Sequence, residues 1–315
     1  MRTRNLLIAC GFAIILIGVT AAISFSLAQN TNTEEDSTYF ETLNPDVLQF
    51  DHMTQYIHDV ELPKTMDFCG ETVPLDRFYV RESLERELLV NTYRHASTLL
   101  LLKRTTRWLP VIEPILRKNN LPEDFKYLAM IESDLTNAVS PSKAVGFWQF
   151  LEGTGKQYNL EIYKEVDMRY HQEKETQAAC DFLKDLYRRF KSWTLAAAAY
   201  NCGGGRISKT IEEQQVTSYY DMLLPNETER YIYRILAFKL IMENPEKYGF
   251  HISDEGWYQP LEYKTITVTE TIENLAQFAI DQGTNLKMLK YYNPWLRSDK
   301  LTISEGNSYK IKLPK

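Results

Sequence analysis

The feature that most constrains this chain is a change of hydrophobic period near residue 262. From about residue 78 to residue 243 the apolar residues recur at helical spacing. Leu84, Leu88, Tyr93, Leu99 and Leu102 stand among charged residues over 78–107, which reads as one helix. Pro110 and Pro114 fall near the start of a second helix that runs to about Lys118, since proline is tolerated in a first turn. Asn119-Asn120 ends it, and Leu121-Pro122-Glu123-Asp124 opens another, with proline and acids in its first turn. Helical patterns continue near 172–190, 193–200, 206–214 and 227–243. Beyond residue 262 the pattern becomes strand, helix, helix, strand: 263–268, 272–281, 285–292 and 308–313. The expectation is a mainly α chain, with a helical domain over 77–256 and a separate βααβ unit over 262–315.

Length and charge agree with two domains. The chain has 315 residues, with 36 Lys and Arg against 42 Asp and Glu, a net charge of −6. That balance speaks against a general nucleic-acid binder, which shows a basic stripe. Much of the apolar content sits at residues 6–28, an uncharged stretch after Arg2 and Arg4. It is about long enough to cross a bilayer as a helix, and its flanking charge fits the positive-inside rule. Ser26-Leu27-Ala28 also fits a cleavage site, so 1–28 is expected to be a signal peptide or a membrane anchor. Both versions export the remainder, which carries −8 because 1–28 holds two arginines and no acid. Residues 29–76 read as a linker and extended, irregular region, polar and acidic at first and then punctuated by Pro45, Pro63 and Pro74. Beyond residue 28 the cysteines are Cys69, Cys180 and Cys202, an odd set without a CxxC pair, which excludes a compact disulfide framework and leaves room for one bridge.

Three segments carry the chemistry. Phe125, Leu128, Ala129 and Glu132 share one helical face, so Glu132 extends an apolar stripe. Partial desolvation there raises a carboxyl pKa, and a carboxyl still protonated near neutrality can serve as a general acid. A helix-end glutamate satisfied locally is the alternative. The second segment, Gly146-Phe147-Trp148-Gln149-Phe150, places aromatics around one amide, a pattern suited to sugar rings and equally to a core. The third, Ala196-Ala197-Ala198-Ala199-Tyr200-Asn201-Cys202-Gly203, allows close helix packing and a glycine stop beneath Tyr200 and Asn201. The glycines lack the Lys-Ser/Thr of a phosphate loop, and neither HExxH nor GxSxG occurs. The five histidines are scattered, and no metal or organic cofactor is indicated.

In order and spacing these segments resemble the soluble-lytic-transglycosylase domain of the goose-type lysozyme-like superfamily. The matching pieces are Leu121-Pro122-Glu123, Ile131-Glu132-Ser133, Gly146 to Phe150, Thr154-Gly155, Val166-Asp167-Met168-Arg169, Ala198 to Gly203, and Pro225-Asn226-Glu227-Thr228-Glu229-Arg230-Tyr231. The resemblance covers roughly residues 105–245. It implies a lysozyme-like fold and peptidoglycan glycan strands as substrate. It also implies Glu132 as the catalytic acid/base, with Ser133, Gln149, Phe150, Tyr200, Asn201, Glu227 and Tyr231 binding substrate or supporting the cleft. The implied reaction cleaves the bond between N-acetylmuramic acid and N-acetylglucosamine through one carboxyl group, leaving a 1,6-anhydro end. A hydrolytic muramidase of the same fold and a non-catalytic glycan-binding envelope protein are the rival expectations. Departures from the pattern are Phe147 for leucine or isoleucine, Leu151-Glu152 for Met/Ile-Pro, and Cys202-Gly203-Gly204 for Ala/Ser-Gly-Glu.

Residues 262–315 resemble a LysM module through Tyr263-Lys264-Thr265-Ile266, Asn274-Leu275-Ala276, Leu286, Leu289, Asn293-Pro294 and Tyr309-Lys310-Ile311. Thr269-Glu270-Thr271-Ile272 stands where such modules usually carry Gly-Asp-Thr-Leu. A glycan-binding module and a small packing domain both remain open readings of this unit.

Overall fold

The computed structural model describes residues 57–315. The apolar stretch at 6–28 and most of the expected linker lie outside the described residues. No helix among the described residues is long and apolar enough to cross a membrane. Cys69, Cys180 and Cys202 are free thiols.

Residues Asp59–Lys315 form one compact unit. A short hairpin comes first, β1 (Asp67–Phe68) and β2 (Glu71–Thr72), where the sequence reads as irregular. Eight helices follow: α1 (Phe78–Tyr93), α2 (His95–Lys118), α3 (Phe125–Ser133), α4 (Glu152–Gln157), α5 (Gln172–Phe190), α6 (Trp193–Cys202), α7 (Gly204–Gln214) and α8 (Asn226–Glu243). The chain closes as β3 (Tyr263–Val268), α9 (Leu275–Asp281), α10 (Leu286–Tyr292) and β4 (Tyr309–Pro314). Strands β3 and β4 pair antiparallel, with Tyr263 opposite Pro314 and Val268 opposite Tyr309. The molecule is mainly α with a βααβ end.

One boundary differs from the sequence reading. The helix expected over 78–107 breaks at Arg94, and Pro110 and Pro114 lie inside α2 and not at a helix start. Asn91, Thr92 and Tyr93 are weak helix formers, and Arg94 takes a non-helical ψ of 53°. The break is stabilised locally, because the Thr98 hydroxyl donates to the Asn91 carbonyl at 2.6 Å. Each proline removes one donor to the carbonyl four residues back, on Thr106 and Pro110. Those residues and both prolines are exposed, so water reaches the freed carbonyls and the helix continues.

Helix α3 is buried on nearly every side: Phe125, Leu128, Ala129 and Met130 are inaccessible to solvent. It ends abruptly, because Asp134 and Leu135 both take left-handed φ near 52°. Two consecutive non-glycine residues in that region cost roughly 1–2 kcal/mol each. The turn stops the helix one residue past Glu132. Helix α8 packs across α1 and α3. It is clamped to α1 by Arg230, whose Nε and Nη2 donate to the buried Glu87 carboxylate at 2.6 and 3.1 Å. Four inaccessible alanines, Ala196–Ala199, let α6 approach its neighbours closely.

The hairpin explains how α6 begins. Glu71 of β2 accepts from the Trp193 and Thr194 backbone amides at 2.5 and 3.0 Å, and from the Thr194 and Ser192 hydroxyls at 2.7 and 2.8 Å. A carboxylate there satisfies orphan amides and complements the positive end of the helix dipole.

The βααβ end is docked against residues 161–173. The Asp167 amide donates to the Trp295 carbonyl at 3.0 Å, and the Arg297 amide to the Glu165 carbonyl at 2.8 Å. Glu165 also accepts from the Thr302 amide at 2.7 Å, and Lys312 Nζ lies 2.5 Å from Glu173.

Candidate active site

Glu132 sits at the last turn of α3, facing the first half of α8. Its side chain is half-buried, and protein crowds the carboxyl on most sides. The Tyr231 hydroxyl, buried on α8, donates to Glu132 Oε1. Burial pushes the Glu132 pKa up to about 7 against the opposing pull of Tyr231 and of Arg234; Glu227 adds a smaller upward push. This carboxyl is therefore partly protonated near neutral pH.

Tyr200 stands on the other side. Its hydroxyl donates to the Trp148 carbonyl at 2.7 Å, and its ring packs on Phe150 and Phe182 at centroid distances of 6.2 and 5.0 Å. Burial holds its pKa well above the ordinary tyrosine value, with the Glu132 charge adding to it. Asn201 follows on the same helix, and its Oδ1 accepts from the Thr228 hydroxyl at 2.8 Å. The start of α8 is thus tied to α6 through Thr228 and to α3 through Tyr231.

The 145–150 turn supplies the carbonyl that holds Tyr200. Val145 and Phe150 exchange backbone bonds at 3.1 and 3.0 Å, and Gly146 takes a φ of 84°. Gln149 braces the turn, its Nε2 donating to the Gly146 and Ala138 carbonyls at 2.9 and 3.1 Å. Ser133, buried beside Glu132, donates to the Phe147 carbonyl at 3.0 Å. Beneath lies Glu175, fully buried, whose Oε2 accepts the Trp148 amide at 3.2 Å. Burial pushes its pKa well above the usual carboxylate range.

Among the residues singled out from sequence, Glu132, Tyr200 and Tyr231 are brought together. Ser133, Gln149 and Asn201 reach that group through backbone or neighbouring side chains. Phe150 is 2% exposed, as Phe147 and Trp148 are nearly so, and these three rings are core and present no open face to a ligand. Glu227 is exposed in the first turn of α8 and acts on Glu132 through charge alone. Sequence reading missed Arg234 and Glu175. Glu227, Tyr231 and Arg234 recur at i, i+4 and i+7, so helical spacing was a signal for Arg234. Glu175 carried none, because an acid in the first turn of a helix is usually a solvated one.

Two further carboxylates, Asp167 and Asp134, lie near positive charge. Asp167 is buried and paired with Arg169, whose Nε and Nη2 donate to it at 3.0 and 2.7 Å. Asp134 also has its pKa raised, by burial, and the charges acting on it are Arg94 and Arg104.

Residues 110–223 match the family described as the transglycosylase SLT domain. The chain carries a transglycosylase SLT domain. Residues 264–315 match the soluble lytic transglycosylase C-terminal LysM-like domain, so the docked βααβ end is LysM-like. The chain is 28% identical over 242 residues to membrane-bound lytic murein transglycosylase D of Escherichia coli strain K12, covering 75% of this chain and 52% of that protein. The same figures hold for the protein of that name from Escherichia coli O6:H1. The chain spans about half the length of these relatives. The SLT match contains Glu132, the 145–150 turn and Tyr200-Asn201; Tyr231, the hydroxyl on the acid, lies eight residues past its end.

Removing that hydroxyl has a defined sign. The bond from Tyr231 favours the ionised carboxylate, so Tyr231→Phe raises the Glu132 pKa above 7. If Glu132 acts as an acid, the alkaline limb of kcat/KM moves to higher pH in the variant. A pH–rate profile checks this, and a limb that stays put or moves down removes Tyr231 from control of the carboxyl.

Proposed function

We propose that this chain is a peptidoglycan lytic transglycosylase of the cell envelope. It cleaves the β-1,4 bond between N-acetylmuramic acid and N-acetylglucosamine and leaves 1,6-anhydromuramyl ends. The observation that carries this reading is the Glu132 carboxyl itself, poised near neutrality and held by the Tyr231 hydroxyl. Glu132 has a pKa of about 7, whereas Asp167 is locked on Arg169 and Asp134 lies among Arg94 and Arg104. Two-carboxylate glycosidases pair the acid with a nucleophile or base across the sugar. A one-carboxyl site fits a route in which the substrate supplies its own nucleophile.

In that route Glu132 gives its proton to the glycosidic oxygen as the bond to C1 breaks. The muramyl O6 then attacks C1, and the ionised Glu132 takes the O6 proton. The proton count closes, and no water is consumed. Tyr231 holds the carboxyl in place through both halves, and burial sets its proton affinity where both transfers are feasible. Tyr200 and Asn201 border the same space and support substrate placement. The related protein's name describes it as membrane-bound, and the apolar stretch at 6–28 fits export or anchorage of this chain to the same compartment.

Mass spectrometry of digested sacculi tests the reading. Lytic cleavage gives fragments whose masses sum to that of the parent strand. Hydrolysis adds one water per cut, and that outcome would replace the proposal with a muramidase.

A further inference from the structure

A cavity of about 480 Å³ opens where the SLT domain meets the LysM-like domain. Its walls carry three cations, Arg104 and Arg107 of α2 and Lys290 of α10, and no Asp or Glu among the described residues that line it. In an acidic chain of net charge −6 this is a local inversion of sign. Among the described residues no carboxylate lies within 4.0 Å of either guanidinium, and the Asp134 carboxyl acts on Arg104 through charge alone. Arg104 Nη1 donates to the Asp134 carbonyl at 3.2 Å. Arg107 donates to the Gln259 carbonyl at 2.9 Å and the Tyr291 hydroxyl at 3.1 Å, beneath the Tyr258 ring. Lys290 lies 3.2 Å from Asp299, whose side chain is almost wholly exposed. Such a pair is weak and exchangeable.

The cavity wall is tied to the end of α3, the helix that bears Glu132. Leu135 and Thr136 form part of that wall, and the Thr136 hydroxyl donates to the Ser133 carbonyl at 2.7 Å. Trp108 lines it as well and packs edge-on against Phe147 at 5.1 Å. Guanidinium groups with free donors, flanked by aromatic surface, suit a carboxylate borne on a partly apolar chain.

We propose that this cavity binds a carboxylate-bearing peptide carried by the glycan strand whose bond is presented to Glu132. The inference rests on the glycan-cleaving reading for its source of peptide. It makes the inter-domain seam a specificity element: peptide-bearing strands are retained, and bare glycan is not.

Binding is measured with full-chain Glu132→Gln protein, so that nothing is cleaved. Three probes are compared: glycan strands bearing peptides with free carboxylates, the same strands stripped of peptide, and the free peptide. The peptide-bearing strands bind about tenfold or more tightly than the stripped ones, the yield of one or two charge-assisted bonds. Adding Arg107→Met with Lys290→Met abolishes that preference and leaves affinity for stripped strands unchanged. Lys290→Glu alone, at a position with partial solvent access, weakens the preference without touching the Arg107 contacts. Equal binding of bare and peptide-bearing strands overturns the proposal, as does a preference that survives both variants. Free peptide that binds as tightly as the peptide-bearing strand assigns the cavity to a soluble anion and also overturns it. Because no turnover is read, failure of the cleavage reading and failure of this one are separately visible.

Discussion

Glu132→Gln eliminates strand cleavage and at the same time makes the folded protein more stable above pH 7. The first half follows from the loss of the only proton donor in the proposed route. General acid–base catalysis contributes typically about 10²–10⁴-fold, and here one group serves both transfers, so a fall of at least about 10³ is expected. The second half follows from linkage. The folded protein holds the Glu132 proton more tightly than the unfolded chain, with a pKa of about 7 against an ordinary 4.5. Relative stability from this group is fully present below pH 4.5, and it declines as pH rises through 7. Glutamine never ionises, so the variant escapes that decline, an advantage of about 2–3 kcal/mol at pH 8 that vanishes near pH 4. Release of muropeptides from sacculi checks the first half, and melting temperatures of both proteins across pH 4–8 check the second. Undiminished cleavage shows that Glu132 is not the acid; a variant that melts lower at pH 8 shows that its carboxyl is not strained by burial.

Gly146→Ala has the largest expected effect on folding. Gly146 takes a φ of 84°, and a methyl group there lies far inside contact distance of the Arg169 carbonyl and of the Glu175 carboxyl. Neither neighbour can give way. Glu175 is fully enclosed, and Arg169 is pinned by Asp167 and by the Phe150 carbonyl at 3.1 Å. Left-handed strain adds to overpacking, so the cost falls in the exceptional range above about 4 kcal/mol. For a domain of this size that is a drop of about 10 °C or more in melting temperature, or failure to fold. Gly153→Ala provides the contrast: it lies in α4, and its added methyl meets nothing within 4 Å. Alanine there raises stability by about 0.5–1 kcal/mol. If thermal melts show Gly146→Ala within a degree or two of the parent, the turn is far softer than its geometry implies.

What could be read from sequence was local. The 3.6-residue spacing of Phe125, Leu128, Ala129 and Glu132 placed the acid on a buried stripe, and three of those side chains are indeed inaccessible. The strand–helix–helix–strand order of residues 263–314 was legible from the change in period. The position of the α1–α2 break was not, because proline counts as a breaker by chemistry alone, and its cost depends on whether water reaches the freed carbonyl. The aromatic cluster at 147–150 read equally as ligand surface or as core, since composition does not say which way a ring points. Glu175 was illegible for a related reason: its environment is made by Gly146 and Trp148, nearly thirty residues away in the chain. Pairings at such separations, like Arg230 with Glu87, leave no periodic trace.

The Glu71 hairpin carries a lesson about where this molecule begins. The matched SLT segment starts at residue 110, yet the helix bearing Tyr200 takes its first-turn partners from residue 71, and the helix bearing Tyr231 is clamped through residue 87. Family likeness and mechanical integrity therefore draw different borders. The stretch ahead of the matched segment, whose first part composition would file as tether, works as a hinge pin: pulled out, it would unseat the helices that carry Tyr200 and Tyr231, with every recognisable motif still in place.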